Sequence, residues 1–514
     1  MSASQRGPDS ASAASFRAAL DAAGLNAQSA LEALGVKNAA ELARLSTSDR
    51  ITRTEGGGAR ATLVRLFLLG VGVNEDAATQ ALALMGLDAA VRAGLVERRG
   101  GAIAGLVQIS FFEDLLLATD MPERAIDSLR VAADAVMPPG GTTSEVAALA
   151  IRSGVRGAVL DVGTGSGALA ISLARAGLGP VVATDISERA LAFAAFNAAL
   201  NGVTIELVRG SGVEPVQGRR FALIVSNPPF VIGPSRSLTY RDSGVRGDGF
   251  VRGLVRDAAA LLEPGGFVQV TADVAHVRCE DWAGRLRSWV EGLACDSVVL
   301  RGRSWEAQAY AEFWLGLEAA DSGAPVSLAR RKEWIDALAS ERIEGITHVH
   351  MTLRKHAPSA GRDGVMRIET LPAAVAPGTG SVVARFFACM EFSVSATDTE
   401  IVGASLRPAP EIRLTQEIAP GSAIKSAPGR AGAAGGWAAV DHRLALAHGL
   451  SPVRPIDANT FNLVRLFDGM RTVGEIVQLV AQQARAPAEQ VGPMIVQVVR
   501  QLVQAGVLLP KGVA

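Results

Sequence analysis

Two hydrophobic periods alternate along this chain, and the switches between them outline its elements. Ala158-Val159-Leu160 is a short apolar run ending at Asp161, the pattern of a buried parallel strand. Glycines at 163, 165 and 167 predict a tight turn, and Ala168 to Ala174 continues as an Ala/Leu/Ile-rich helix. A second run, Pro180 to Thr184, ends at Asp185. A third strand is expected over Thr204–Val208, leading into Arg209-Gly210-Ser211-Gly212. Phe221 to Val225 makes a fourth, followed at its C-terminal end by Ser226-Asn227-Pro228-Pro229-Phe230. Strand, Gly loop, helix and strand in succession predict an α/β, Rossmann-like open sheet.

The flanks read differently. Residues 1–14 are expected to be disordered. Residues 15–110 run from helical spacing (Leu63, Leu66, Phe67, Leu69) to a hairpin with a Gly100-Gly101 turn, a winged-helix-like N-terminal module. Arg98 and Arg99 at that turn either touch phosphate or keep the turn soluble. Residues 111–150 read as a connecting helical segment opening a domain that spans 111–355. Thr142 and Thr143 lie near a ligand or cap a helix. The loop after Phe230 offers Tyr240, Arg241 and Asp242 as substrate-specificity residues; its other reading is a surface loop with a helix cap at Asp248. Trp282, Trp289, Trp305 and Trp314 are expected in the core. Linkers at 356–366 and 418–436 enclose a small α/β piece at 367–417. Residues 437–514 are expected to form a second winged-helix-like module, with a helix through Phe461, Val464 and Phe467 ending at Asp468-Gly469, a capping box at Thr472/Glu475, a helix over Val491–Val503 and a strand-like tail at 505–509.

Composition narrows the function. At 514 residues the chain is expected to hold three or four domains. A net charge of −1 carries no global nucleic-acid signature, leaving only a local basic face open. Three widely spaced cysteines form no metal pattern and fit a reducing, cytoplasmic setting. His348-Val349-His350 alternates along an expected strand and reads as a sheet face, so no metal is expected. The N-terminus lacks a signal peptide's apolar segment, and no stretch has spanning length, so no membrane partner is expected.

The chemistry lies in the two strand ends. Gly163, Gly165 and Gly167 let a nucleoside cofactor approach the backbone, with Thr164 beside them, and Asp185 can accept both ribose hydroxyls. Gly163, Gly165 and Ala168 also fit the dinucleotide fingerprint. Asp161 tips the choice: a pyrophosphate gains nothing from a carboxylate, whereas an ammonium and a sulfonium cation do. Asn227 and the carbonyl of Pro228 can accept from an sp² NH₂ group, Pro229 stiffens the turn, and Phe230 can stack on a planar base or amide. The chemistry expected is methyl transfer from S-adenosylmethionine to nitrogen.

These motifs resemble the class I S-adenosylmethionine-dependent methyltransferases, and within them the methyltransferase small domain group, which includes rRNA guanine-N2 and release-factor glutamine methyltransferases. Asp161 to Gly167 is similar to their cofactor loop, Asp185 to their ribose acid, Asn227-Pro228-Pro229-Phe230 to their substrate motif, and Leu262-Glu263-Pro264-Gly265-Gly266 to the turn before their fifth strand. The resemblance implies a seven-stranded methyltransferase sheet. It implies cofactor contacts from Asp161, Gly163, Thr164, Gly165, Gly167, Asp185, Ile186 and Asn227, and catalysis by Asn227, Pro228, Pro229 and Phe230. The acid that such enzymes often carry after the third strand is missing, so the adenine contact passes to a backbone N–H or to Ser211. The expected acceptor is a macromolecule, an RNA base (with RNA or ribosome as partner) or a protein glutamine. A small-molecule or peptide-maturation enzyme is the alternative, and a non-catalytic nucleic-acid-binding regulator a third.

Overall fold

The buried run Val159–Val162 forms strand β1 in the middle of the sheet. The computed structural model describes residues 7–121, 134–234, 244–322, 325–357, 361–420, 437–446, 450 and 454–513. β1 pairs in parallel with β2 (Val181–Asp185) and β4 (Phe221–Ser226), and β2 carries β3 (Glu206–Arg209) outward. β5 (Leu262–Val277) runs parallel to β4, with a register break between Phe221 and Leu223 that takes up the Pro264-Gly265-Gly266 turn. β7 (Ile343–Lys355) inserts antiparallel beside β5, next to β6 (Cys295–Glu306), giving the order β3-β2-β1-β4-β5-β7-β6. The sheet is therefore mixed, with the seven strands expected. Helices α1 (Gly141–Leu149), α2 (Ala168–Arg175), α3 (Glu188–Leu200) and α4 (Gly249–Ala260) connect the strands. Val159, Ile171, Leu173, Val181, Leu223 and Val225 share one core, each buried Val, Leu or Ile contributing about 1.5–3 kcal/mol.

Two compact units divide the chain. The first holds residues 1–297 and 303–365, the second 298–302 and 366–514. In the first, the predicted hairpin is present, with Val96 opposite Gly105 and Arg99 opposite Ala102. Arg98 pairs with Glu75 at 3.1 Å and Asp88 at 2.7 Å, which favours the solubility reading of that turn. Several short helices, among them Ala13–Ala22, Gly58–Phe67 and Leu87–Arg92, precede the hairpin. The connecting helix expected from residue 111 is a correction: Val107–Phe112 and Leu115–Asp120 form a second hairpin, and among the described residues of this segment the helix is Gly141–Leu149. Val107 and Ile109 are buried in the alternation that a half-buried strand needs, and Glu113 turns the chain at φ 52°. Residues 1–6 of the expected disordered segment lie outside the described residues, while Asp9 already caps a turn at Ser10–Ser12.

In the second unit the expected boundary between 417 and 437 does not hold. Leu406–Pro408 pairs with Leu508–Pro510, and Ile412–Pro420 with Trp437–Leu446, so the two predicted pieces complete one another's sheets. Short strands cannot bury their edges alone, which is why the partners come from far along the chain. The capping box is present, Thr472 N donating to Glu475 at 2.7 Å and Glu475 N to Thr472 at 3.2 Å. The helix through Phe461 ends at Val464, short of the expected Phe467 and Asp468-Gly469, and the helix after the capped one spans Ala488–Gln504. Among the described residues no helix is long and apolar enough to cross a membrane.

Candidate active site

At the C-terminal ends of β1, β2 and β4 lies an open cleft of about 540 Å³. Its lining includes Asp161, Gly163, Thr164, Gly165, Asp185, Ile186 and Ser211, and on the same wall Asn227, Pro228, Pro229 and Phe230. The volume suits one nucleoside-sized ligand. Sequence reasoning therefore places its two motifs correctly side by side. Gly167 does not line the cleft. A side chain there would stand 3.0 Å from Ile171 Cδ1 and 3.2 Å from Ala194 Cα, so this glycine serves close packing of α2 on α3. Tyr240, Arg241 and Asp242 lie outside the described residues.

The Gly loop is held from within. Gly163 N and Thr164 N donate to Thr184 O at 2.9 and 3.0 Å, Gly165 N to Asp185 Oδ2 at 2.9 Å, and Gly167 N to Thr164 O at 2.9 Å. These four amides are therefore engaged within the protein. A pyrophosphate would find few donors, which counts against a dinucleotide. A side chain at Gly163 would meet nothing within 4 Å, leaving space against the loop for a ligand.

Asp161 is almost wholly buried. Its Oδ2 accepts from Thr164 Oγ1 at 2.6 Å and from Ala170 N at 3.1 Å, so it does cap the start of α2. Its Oδ1 is buried with no partner. A buried carboxylate oxygen without a donor is costly, and burial pushes this carboxyl up to about 6. The orphan oxygen is the place where an ammonium would restore what burial removed, so the residues present fit S-adenosylmethionine. Asp185 is likewise raised by burial, while Ser187 N and Gly165 N donate to its two oxygens at 2.9 Å.

Asn227 shows the complementary feature. Its Nδ2 donates to Thr143 Oγ1 at 3.0 Å, which fixes the amide, and its Oδ1 is buried without a partner. Thr143 is thus a ligand-side residue; the cap position belongs to Gly140, which makes no side-chain bond. Behind Phe230, the Tyr310 hydroxyl accepts from Ile232 N at 3.1 Å and donates to Asp273 at 2.6 Å, pinning the chain just after the motif. His348 meets the Phe230 ring edge-on at 5.2 Å.

Several supporting residues had no role assigned from the sequence, although the segment Phe196–Gly202 resembles the family's helix after the second strand. Asn197 donates to Ser166 O at 2.8 Å and exchanges two bonds with Ala118, while Asn201 does the same with Leu116. These two amides, one turn apart on α3, bind the second N-terminal hairpin to the cofactor loop. Two buried asparagines four apart in an Ala/Phe-rich helix were the available signal. Asp248 occupies the N-cap position of α4, as the second reading expected, but its side chain makes no cap bond: it is buried, accepts from Ala275 N at 3.0 Å and pairs with Arg285. Of the four tryptophans expected in the core, Trp289 is buried there; Trp282, Trp305 and Trp314 are half-buried, and Trp314 lines the cleft.

Comparison with known proteins agrees with this geometry. The methyltransferase small domain matches residues 141–282, and a domain of unknown function (DUF7059) matches residues 22–106. The release factor glutamine methyltransferase of Deinococcus radiodurans is 38% identical over 154 residues, 26% of this chain and 54% of that protein. That of Gloeobacter violaceus is 32% identical over 191 residues, 30% of this chain and 67% of that protein. The ribosomal protein L11 methyltransferase of Pelotomaculum thermopropionicum is 51% identical over 73 residues, 14% of this chain and 23% of that protein. The chain spans about half the length of the first of these relatives. With its cofactor loop and its Asn-Pro-Pro-Phe turn on one wall of one cleft, the chain belongs to the methyltransferase small domain family of class I methyltransferases.

Proposed function

We propose that this protein is an S-adenosylmethionine-dependent N-methyltransferase whose acceptor is a planar nitrogen on a macromolecule, foremost a glutamine side chain. The observation that carries the reading is the unpartnered, buried Oδ1 of Asn227 in the cleft, its amide fixed by Thr143. When bound, S-adenosylmethionine supplies an electrophilic methyl group on a sulfonium. Asp161 Oδ1 would hold the cofactor's ammonium, Asp185 its ribose hydroxyls, and Ile186, 58% exposed at the cleft, would cover the base beside Ser211. Asn227 Oδ1 and the Pro228 carbonyl accept the two N–H groups of the acceptor amide, and Phe230 stacks on its plane. Holding the nitrogen in line with the methyl group is the main catalytic contribution, and no strong base is required. The glutamine acceptor is supported by the release-factor relatives. An RNA base is the second reading, favoured by the same acceptor geometry at Asn227. The flanking segments, read as winged-helix-like modules, would then hold the large substrate.

The test is transfer of tritiated methyl from S-adenosylmethionine into extract from cells lacking this protein, followed by nuclease or protease. Label released by protease supports the glutamine reading, and label released by nuclease moves the acceptor to RNA. Label confined to small molecules would sink the macromolecular assignment.

A further inference from the structure

Methyl transfer leaves a cluster behind the Asn-Pro-Pro-Phe turn without a task. His348 and His350 sit two apart on β7 and so share one face of the sheet. Their rings lie 5.3 Å apart at 86°. Glu145 of α1 reaches over that face, and its carboxylate oxygen stands 2.9 Å from His350 Nε2. One ligand atom from each of Glu145, His348 and His350 falls within 4.8 Å of the others. We propose that these three side chains form a binding site for Zn²⁺ or a similar borderline divalent cation.

The surroundings are those such a site needs. Asp273 sits opposite His348 across the β5–β7 pair and meets its Nδ1 at 2.7 Å. Asp273 is in turn held by Tyr310 at 2.6 Å. A carboxylate on one ring nitrogen fixes the tautomer and leaves the lone pair on the other, as around metal-bound histidines. That other nitrogen, Nε2, is 3.0 Å from the Thr271 hydroxyl, whose hydrogen can turn instead to Val349 O at 3.3 Å and leave the lone pair free. At His350 the cation takes the place of the proton facing Glu145; in the neutral ring that proton moves to Nδ1 and leaves the Nε2 lone pair to the ion. The 2.9 Å between those two atoms is slightly below the roughly 3.3 Å edge of a tetrahedron with bonds of about 2.0 Å, so a small widening suffices. Glu145 is 38% exposed beside a nearly buried His350, which gives the ion a route in and a side on which water completes its shell. Two imidazoles and one carboxylate suit zinc better than the hard, all-oxygen cations.

The consequence is positional. α1 carries Thr143, the partner of Asn227, and a cation joining Glu145 to β7 clamps that helix beside the acceptor motif. His348 also backs Phe230.

The experiment is titration of the full-length, metal-stripped protein with Zn²⁺ against a chromogenic chelator, together with ¹⁵N spectra of histidine-labelled protein. The wild type is expected to bind one ion, with the nitrogens of His348 and His350 shifting as it does so. His350→Ala is expected to lose this site. Glu145→Gln, a change at a partly exposed helix position that keeps the fold if His350→Ala does not, is expected to weaken it by at least about 10- to 100-fold, the loss typical of even outer-shell partners. No uptake by the wild type overturns the proposal. So does uptake that Glu145→Gln leaves unchanged, which would place the ion on exposed Cys279 or another surface group.

Discussion

At the scale of single residues, two buried oxygens decide the chemistry, Asp161 Oδ1 and Asn227 Oδ1. Each is an acceptor without a donor, which costs about 1–3 kcal/mol until a ligand supplies one. For Asp161 the sign is definite. Burial raises the folded carboxyl to about 6 from 3.8, so the folded protein holds this proton more tightly than the unfolded chain. Its contribution is therefore most favourable below pH 3.8 and is lost as pH rises through about 6, a loss of roughly 3 kcal/mol. An ammonium beside the ionised carboxylate reverses this. Cofactor affinity should rise as pH increases through 6, and Asp161→Asn should bind weakly with no such rise; calorimetric titration on either side of pH 6 checks both. A variant with the wild-type pH profile would remove Asp161 from the site. For Asn227→Ala, kcat should fall by about 10²-fold or more, the size of losing one oriented polar group at a reacting centre, while the cofactor Kd stays the same. Loss of cofactor binding in that variant would count against the acceptor role.

At the scale of elements, α3 links the cofactor loop to the N-terminal region. Asn197 joins Ser166 of the loop to Ala118 of the hairpin, and Phe196 packs near Phe16 at 6.0 Å. Replacing Asn197 by Ala strands three backbone groups at once, and should cost about 2–4 kcal/mol. Chemical denaturation measures this, and a cost under about 1 kcal/mol, the range of ordinary surface changes, would show that the amide ladder is dispensable. Gly167→Ala tests the same junction by crowding, since φ there is +85° and Ala194 is in the way. A lowered Tm is expected, and an unchanged one would mean that α2 and α3 shift apart freely.

At the scale of the whole molecule, the second unit is closed by its own C-terminal strand. Leu508–Pro510 covers the edge of Leu406–Pro408, with Leu406, Leu508 and Leu509 buried. Removing residues 505–514 should accelerate hydrogen exchange at 406–408, and unchanged protection would mean that this pairing adds nothing. Much of this was legible beforehand. Strands β1, β2 and β4, the Gly loop, Asp161, Asp185 and the Asn-Pro-Pro-Phe turn depend on local period, on glycine and proline backbone limits, and on carboxylates at strand ends, all of which act within a few residues. The same locality explains the first hairpin and the Thr472/Glu475 box. Only the tertiary structure decided the rest. Thr143 meets Asn227 from 84 positions away, Glu145 meets His350 from 205, and residues 406 and 510 pair across a separately predicted module. A hydrogen bond between distant residues leaves no period in the chain, because its partners are chosen by the packing of helices on the sheet and not by their neighbours in sequence.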